Sequence, residues 1–300
     1  MSGDRIEILA TDLLDDERAV VESLKALARK LDIGLGWHYL LDLAWIVTEL
    51  GALGRAQAGL RILDAGAGLG LLQWYLAETG AEVVSVDRSP RMLLAPHLRR
   101  HYRIRGLRAQ DMPAAGAVLS RALRARHPPR AYLAAALRAV RLLLRDLASP
   151  PAPGSVVMYH HDLTTLPDIA DESVDAVVAV SALEHNDPAQ LPGVVNELVR
   201  TLKPGGVLLA TLGAARDADW FHVPSQGWNY TDVSLRRVFQ LPPEAPSNYE
   251  RADELFAALR NCAELRDGLA PMYFQSGDNG MPWGKWDPQY QPVAVRKVKQ

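Results

Sequence analysis

Cysteine is nearly absent: Cys262 stands alone among 300 residues. No disulfide can close within the chain, and no cysteine-based zinc cluster can form. Long apolar runs are also missing, and none approaches the ~20 residues of a membrane-spanning helix. The N-terminus, MSGDRIEIL, has no basic start leading into an apolar stretch. It therefore reads as no signal peptide, and the chain as cytoplasmic. Neither sign of charge is in large excess: 33 basic against 35 acidic residues leave a net −2. Nothing global draws the molecule to nucleic acid or to an anionic membrane. No internal repeat and no set of metal ligands stands out. What remains is 48% hydrophobic and 23% charged. That is enough to bury a core in one large domain, or in a domain with an appendage.

The chain is organised around Arg61-Ile62-Leu63-Asp64-Ala65-Gly66-Ala67-Gly68-Leu69-Gly70. Ile62 and Leu63 end a buried strand, Asp64 marks its carboxyl end, and three glycines at alternate positions make a tight turn. Leu71 to Glu78 follow at helical spacing, closed by Gly80. Strand, glycine turn and helix start form one βα unit, in which the glycines let the backbone approach a ligand. A second short strand, Glu82 to Val86, ends at Asp87. A carboxylate there can accept both hydroxyls of a ribose. Dinucleotide-binding folds use the same device, but their GxGxxG fingerprint differs from the GxGxG found here.

Four separated segments together resemble the class I S-adenosylmethionine-dependent methyltransferases. They are Leu63 to Gly70; Val86-Asp87-Arg88-Ser89; Asp162-Leu163 with Asp171 to Val178 and Ser181-Ala182-Leu183-Glu184-His185; and Leu202 to Leu209. The resemblance covers roughly residues 59–213 with one interruption, and its strength lies in the order of the four. It implies a doubly wound α/β fold with a mostly parallel, seven-stranded sheet, S-adenosylmethionine as cofactor, and methyl transfer as the activity. A small-molecule or glycan acceptor, methylated at a hydroxyl, is the expected substrate. No Asn-Pro-Pro-Tyr or Asp-Pro-Pro-Tyr segment marks an amino-directed DNA methyltransferase, and no RNA-binding module is appended.

Residues 1–58 read as an N-terminal helical cap. Asp15 or Asp16 is a plausible cap for a helix over 19–31, and a second helix is expected over 37–50. Its Trp37 and Trp45 suit the core, while His38 or Tyr39 are placed to line the site's mouth. Pro90 suits the start of a helix over 91–103. The spacing then fails, because no strand follows Asp111 where an adenine-site acid would require one. Val156 to His160, ending at Asp162, is the better third strand. Residues 106–154 therefore form a helical insertion, flanked by the α/β domain over 59–105 and 155–300. From Arg99 to Asp146, twelve arginines face two aspartates, a local balance of +10. The insertion can be a solvated hairpin, a site for an anionic partner, a membrane-surface helix or a dimer contact. An RNA or other macromolecular binder using this hairpin is the alternative to a small-molecule enzyme. Further on, strands are expected over 174–180, 207–212, 269–275 and 292–298, with helices over 189–202 and 248–263.

By the resemblance, Asp64, Gly66, Ala67 and Gly68 lie under the methionyl part of the cofactor. Asp87 holds the ribose hydroxyls and Arg88 flanks the adenine. Asp162 and the N–H of Leu163 meet the adenine edge, and Ser181 and Ala182 meet the methionine amine. His185 and His222 are both candidates for a catalytic base. Trp220, Trp228 and Tyr230 are candidates for an aromatic substrate wall.

Overall fold

Along the central strands, successive side chains enter opposite cores. Ile62, Val83, Val156 and Val178 belong to one apolar cluster. Their neighbours Leu63, Val84, Val157 and Val177 belong to the other. Period-two alternation with both phases apolar is the mark of a sheet covered on both faces. Each such valine or leucine contributes about 1.5–3 kcal/mol by burial. The computed structural model describes residues 3–53, 58–89, 91, 96–112, 150–268 and 286–300.

In chain order these form β1 (Arg5–Ile8), α1 (Leu13–Asp16), α2 (Arg18–Leu31), α3 (Tyr39–Ala52), β2 (Arg61–Ala65), α4 (Leu72–Glu78) and β3 (Glu82–Asp87). Next come α5 (Pro96–His101), β4 (Arg103–Gly106), β5 (Ser155–His160), β6 (Val174–Val180), α6 (Leu191–Thr201) and β7 (Leu202–Ala214). Then follow β8 (Trp220–His222), β9 (Gly227–Tyr230), α7 (Asp232–Phe239), α8 (Ala252–Asn261), α9 (Ala263–Gly268) and β10 (Gln291–Val298). The strand order is β1-β10-β7-β6-β2-β3-β5-β4, with β9 joined to β7 and to β8. Strands β4, β5, β3, β2, β6 and β7 run parallel. Strand β10 is antiparallel to both β7 and β1.

The sheet has ten strands among the described residues, against the expected seven. Two of the additions are short edges. Strand β1 pairs only with β10, and β4 only with β5. The helix expected over 91–103 ends before Arg103, and Arg103 to Gly106 is extended. An edge strand that leaves its residues half or fully exposed needs no apolar run to announce it. Asp15 and Asp16 do not cap α2; they end the short helix α1 before it. Helix α3 begins at Tyr39, two residues later than expected, and buries almost every side chain it carries, Asp42 and Glu49 included. Most of the expected insertion, residues 113–149, and the strand expected over 269–275 lie outside the described residues. No described helix is long and apolar enough to cross a membrane.

This topology fixes where a ligand can sit. From β2 the sheet grows one way through β3 to β5, and the other way through β6 to β7. The crevice beyond the carboxyl ends of β2 and β6 is the switch point, where open α/β sheets take their ligands. Helix α3 contacts β6, β7 and β10, so the N-terminal helices close over the same end.

Candidate active site

The turn after β2 is built on backbone that only glycine adopts readily. Gly66 has φ +77° and Gly68 φ +48°. The N–H groups of Gly66 and Ala67 both donate to the carbonyl of Val86, at 2.9 and 3.0 Å, tying the turn to β3. A Cβ at Gly66 would lie 2.4 Å from the Cβ of Ala182. The turn thus presses directly against the segment that follows β6. Asp87, at the end of β3, fastens the other side. Its Oδ2 accepts the N–H of Gly68 at 2.8 Å and its Oδ1 accepts that of Ser89 at 2.6 Å.

Three cavities meet at this end of the sheet. The first, about 260 Å³, is lined by Gly66, Asp87, Arg88, Asp162, Leu163, Ala182 and His185, among others. The second, about 490 Å³, runs under the glycine turn past Asp64, Ala67 and Gly68 to Tyr39 and the loop over 32–35. The third, about 100 Å³, is walled by His38, Tyr39, Glu184, His185, Trp228 and Tyr290. Ser181 lines all three. It is a non-glycine residue at φ +44°, and strain of that kind persists where surrounding structure enforces it, often at functional sites.

All ten residues assigned to the cofactor from the sequence therefore line the first or second cavity. Asp64 is buried, which pushes its carboxyl up to about 7; Arg91 opposes the shift and Asp87 adds to it. Arg91, not singled out in the sequence, lies beneath β3 and β5. It donates to the carbonyls of Ser85 at 2.7 Å and Tyr159 at 3.2 Å. Asp162 accepts the N–H of Thr164 at 2.9 Å, a bond that holds its carboxyl below the usual range. Asp111 is engaged elsewhere, by Arg108 at 2.8 Å and by the N–H of His160 at 3.3 Å.

The expected catalytic and substrate residues separate. His185 is exposed and sits between the first and third cavities, its Nδ1 donating to the carbonyl of Gln226 at 2.9 Å. His222 is buried behind the third cavity. Its Nδ1 meets the hydroxyl of Ser225 at 2.7 Å, and burial lowers its pKa. Trp228 lines the third cavity. Tyr230 is buried in the core below it. Trp220 lines a separate groove with Ile8, Arg216 and Phe256.

His38 and Tyr39, both placed at the site's mouth from the sequence, line the third cavity with Glu184 and Tyr290, which were given no role there. His38 Nδ1 lies 2.6 Å from Asp42 Oδ2, both buried, on successive turns at the start of α3. Burial pushes the Asp42 carboxyl up, and the His38 ring beside it pulls back. His38 Nε2 lies 3.4 Å from the Tyr290 hydroxyl. Glu184 is buried and accepts from the hydroxyl of Ser181; its second oxygen has no hydrogen-bond partner among the described residues. Burial raises its pKa, against the opposing pull of His185 and Ser181. Burial also pushes Tyr39 up to about 12, so it stays a neutral phenol. Among the described residues no group of His, Cys, Asp and Glu is arranged to hold a metal ion. A signal for the pair was present. His38 and Asp42 are polar residues at i and i+4 in an otherwise apolar helix, where a buried carboxylate needs a partner.

Residues 133–210 match the family model of a methyltransferase domain. A ubiquinone biosynthesis O-methyltransferase of Xanthomonas oryzae pv. oryzae is 26% identical over 234 residues, covering 75% of this chain and 69% of that protein. Among solved structures, magnesium protoporphyrin IX methyltransferase from Synechocystis PCC 6803 with bound S-adenosylmethionine has a TM-score of 0.42 at 16% identity, covering 96% of this chain and 97% of that one. Phosphoethanolamine N-methyltransferase 2 of Haemonchus contortus has a TM-score of 0.44 at 16% identity, over 96% of this chain and 59% of that one.

Proposed function

The chain is a class I S-adenosylmethionine-dependent methyltransferase, and we propose that it methylates a hydroxyl of a small planar molecule held in the third cavity. The carrying observation is the junction at Ser181. One residue lines the two cavities suited to the cofactor and the smaller chamber beside them. At about 100 Å³ the chamber suits a single ring better than a glycan, and Tyr39, Trp228 and Tyr290 offer aromatic walls to such a ring. The O-methyltransferase relative supports a hydroxyl as the acceptor.

The residues of the first two cavities fit the cofactor. A backbone cradle that a Cβ at Gly66 would obstruct leaves room for the methionyl chain. Each oxygen of Asp87 spends one bond on a backbone N–H and keeps acceptor capacity for ribose hydroxyls. Asp162 and the N–H of Leu163 are proposed to meet the adenine edge, and the backbone carbonyls of Ser181 and Ala182 the amine. Arg88 flanks the base.

The bound cofactor supplies a methyl group already activated by its sulfonium. The protein's part is to align the acceptor and keep water from competing, so proximity is the main catalytic term. Tyr39 divides the chamber from the second cavity and, as a neutral phenol, can orient an acceptor without adding charge. His185 stands at the mouth between the first and third cavities.

The test pairs binding with transfer. Calorimetry with S-adenosylhomocysteine should give micromolar affinity, about −8 kcal/mol. Methyl-labelled cofactor should label the oxygen of a small phenol, and not an amine or a disaccharide of matched concentration. Label on nitrogen or on sugar alone would replace this acceptor class.

A further inference from the structure

A neutral hydroxyl is a poor nucleophile, so the reaction proposed above needs a group to take its proton. The geometry points to His38, set by Asp42, as that group. The assignment rests on the reading of the third cavity as the acceptor chamber.

Four observations carry it. His38 lines the chamber while only 3% of its surface is exposed, so its ring meets the acceptor and not bulk water. Its Nδ1 is 2.6 Å from an Asp42 carboxyl oxygen; with Asp42 ionised, the state the His38 ring favours against burial, that contact holds the proton on Nδ1 and leaves Nε2 as an acceptor. The carboxylate also offsets the charge of the imidazolium formed when Nε2 gains a proton. Finally, Nε2 already faces a hydroxyl, that of Tyr290 at 3.4 Å, a contact long enough to yield to a closer donor.

His185, the other histidine of the chamber, lacks these supports: it is exposed and its Nδ1 rests on a neutral carbonyl. The charged and titratable groups facing His38 are Asp42 and Tyr39 on its own helix, Glu184 and His185 after β6, and Tyr290 before β10. Glu184 adds a second element of recognition. Its buried oxygen without a donor suits an acceptor bearing a second hydroxyl beside the first.

The step balances. His38 Nε2 takes the acceptor's proton, and the O–H bonding pair stays on oxygen to form the O–CH3 bond. The S–CH3 pair leaves with sulfur as a neutral thioether. His38 ends as an imidazolium beside Asp42, and its proton passes to solvent as product departs. Asp42 is a positioning residue, because it acts through the ring.

The probe is 4-nitrocatechol, whose absorbance reports ionisation, bound to the full chain saturated with S-adenosylhomocysteine. In the wild type the bound catechol should ionise about one pH unit or more below the free compound, as a base within hydrogen-bond reach requires. His38→Gln should abolish this shift while S-adenosylhomocysteine affinity stays within about two-fold, the check that the variant is folded. Asp42→Asn should reduce the shift, and should move the His38 proton from Nδ1 to Nε2 in two-bond 1H–15N spectra. The wild-type spectrum tests the assignment without any variant: a proton on Nε2 of His38 would overturn it. A shift that survives in His38→Gln, or that disappears only in His185→Gln, would overturn it as well. No saturable catechol binding, with S-adenosylhomocysteine still bound, would instead remove the acceptor reading on which the assignment rests.

Discussion

The two halves of the site are built in different ways. The cofactor half comes from strand ends and the turns directly after them: Asp64 to Gly68 after β2, Asp87 to Ser89 after β3, Asp162 and Leu163 after β5. The acceptor half comes from pieces that share no local pattern. His38 and Tyr290, whose side chains meet in its wall, are 252 residues apart. Trp228 comes from a hairpin strand, Glu184 from a 3-10 turn after β6, and His38 from the turn entering α3. A backbone cradle for one invariant ligand can be made locally. A chamber shaped to one acceptor is lined by side chains from whichever elements cover the sheet's end, and can change without disturbing the cradle.

The comparison breaks most violently at Gly66. A valine there would bring its Cβ to 2.4 Å from that of Ala182, on backbone at φ +77°. Overpacking costs about 1–3 kcal/mol and the left-handed backbone adds about 1–2 more. Gly66→Val is expected to lose S-adenosylhomocysteine binding by calorimetry and to melt earlier by circular dichroism. Unchanged affinity would show that the cradle is not where the cofactor lies.

Asp64 sharpens it through pH. Its folded pKa, raised by burial to about 7, lies above the unfolded value of 3.8. Between about pH 4 and 7 the folded state therefore binds more protons than the unfolded one, and this group's contribution to stability falls as pH rises through that window. Asp64→Asn removes the term, by up to about 4 kcal/mol at pH 8 as an upper bound. Urea titrations at pH 5 and pH 8 should show the variant gaining on the wild type at the higher pH. A difference independent of pH would mean that Asp64 titrates normally.

The same contrast decides how much of each half is legible in the sequence. Asp64, Gly66, Gly68 and Asp87 are contiguous with the strands that place them, so the strand–turn pattern marks them and the family resemblance gives them roles. Val156 and Asp162 stand out across a long interruption because no strand follows Asp111, whereas the strand over 174–180 follows Asp162 closely. Strand β1 was missed because Arg-Ile-Glu-Ile is four residues long and gains its meaning only from β10, far along the chain. Strand β4 was missed because Arg-Ile-Arg-Gly lies at an edge and buries little. Aromatic richness marked the region of Trp220 to Tyr230 but not its faces. Trp220 pairs with Asn229 in the hairpin and lines an outer groove, while Trp228 lines the chamber. His38 was placed at the site's mouth without its partner, because Asp42 lies in a run apolar enough to read as packing.

A smaller effect is expected at Asp87, which belongs wholly to the cofactor half. Asp87→Ala removes a charged acceptor from the proposed ribose site and frees the N–H groups of Gly68 and Ser89. Bonds to a charged group are worth about 1.5–3 kcal/mol, so S-adenosylhomocysteine affinity should drop by roughly 10- to 150-fold. Phenol binding to the pre-saturated protein should not change. If both affinities fall together, the two halves are one cooperative unit.

The smallest effect tests the separation from the other side. Trp228 lines the third cavity and neither of the other two, and its ring stacks obliquely on Phe221, with centroids 5.4 Å apart. Trp228→Ala opens the chamber wall without touching the glycine turn, Asp87 or Asp162. An aromatic contact is worth about 0.5–1.5 kcal/mol beyond its buried area, so 4-nitrocatechol should bind roughly 3- to 10-fold more weakly. S-adenosylhomocysteine affinity should stay within about 0.5 kcal/mol, as expected for sites that share no partners. Calorimetry of the two ligands on one preparation gives both numbers. Cofactor affinity that falls as far as catechol affinity would place Trp228 in the cradle, and the acceptor would then have to enter by the open first cavity past His185.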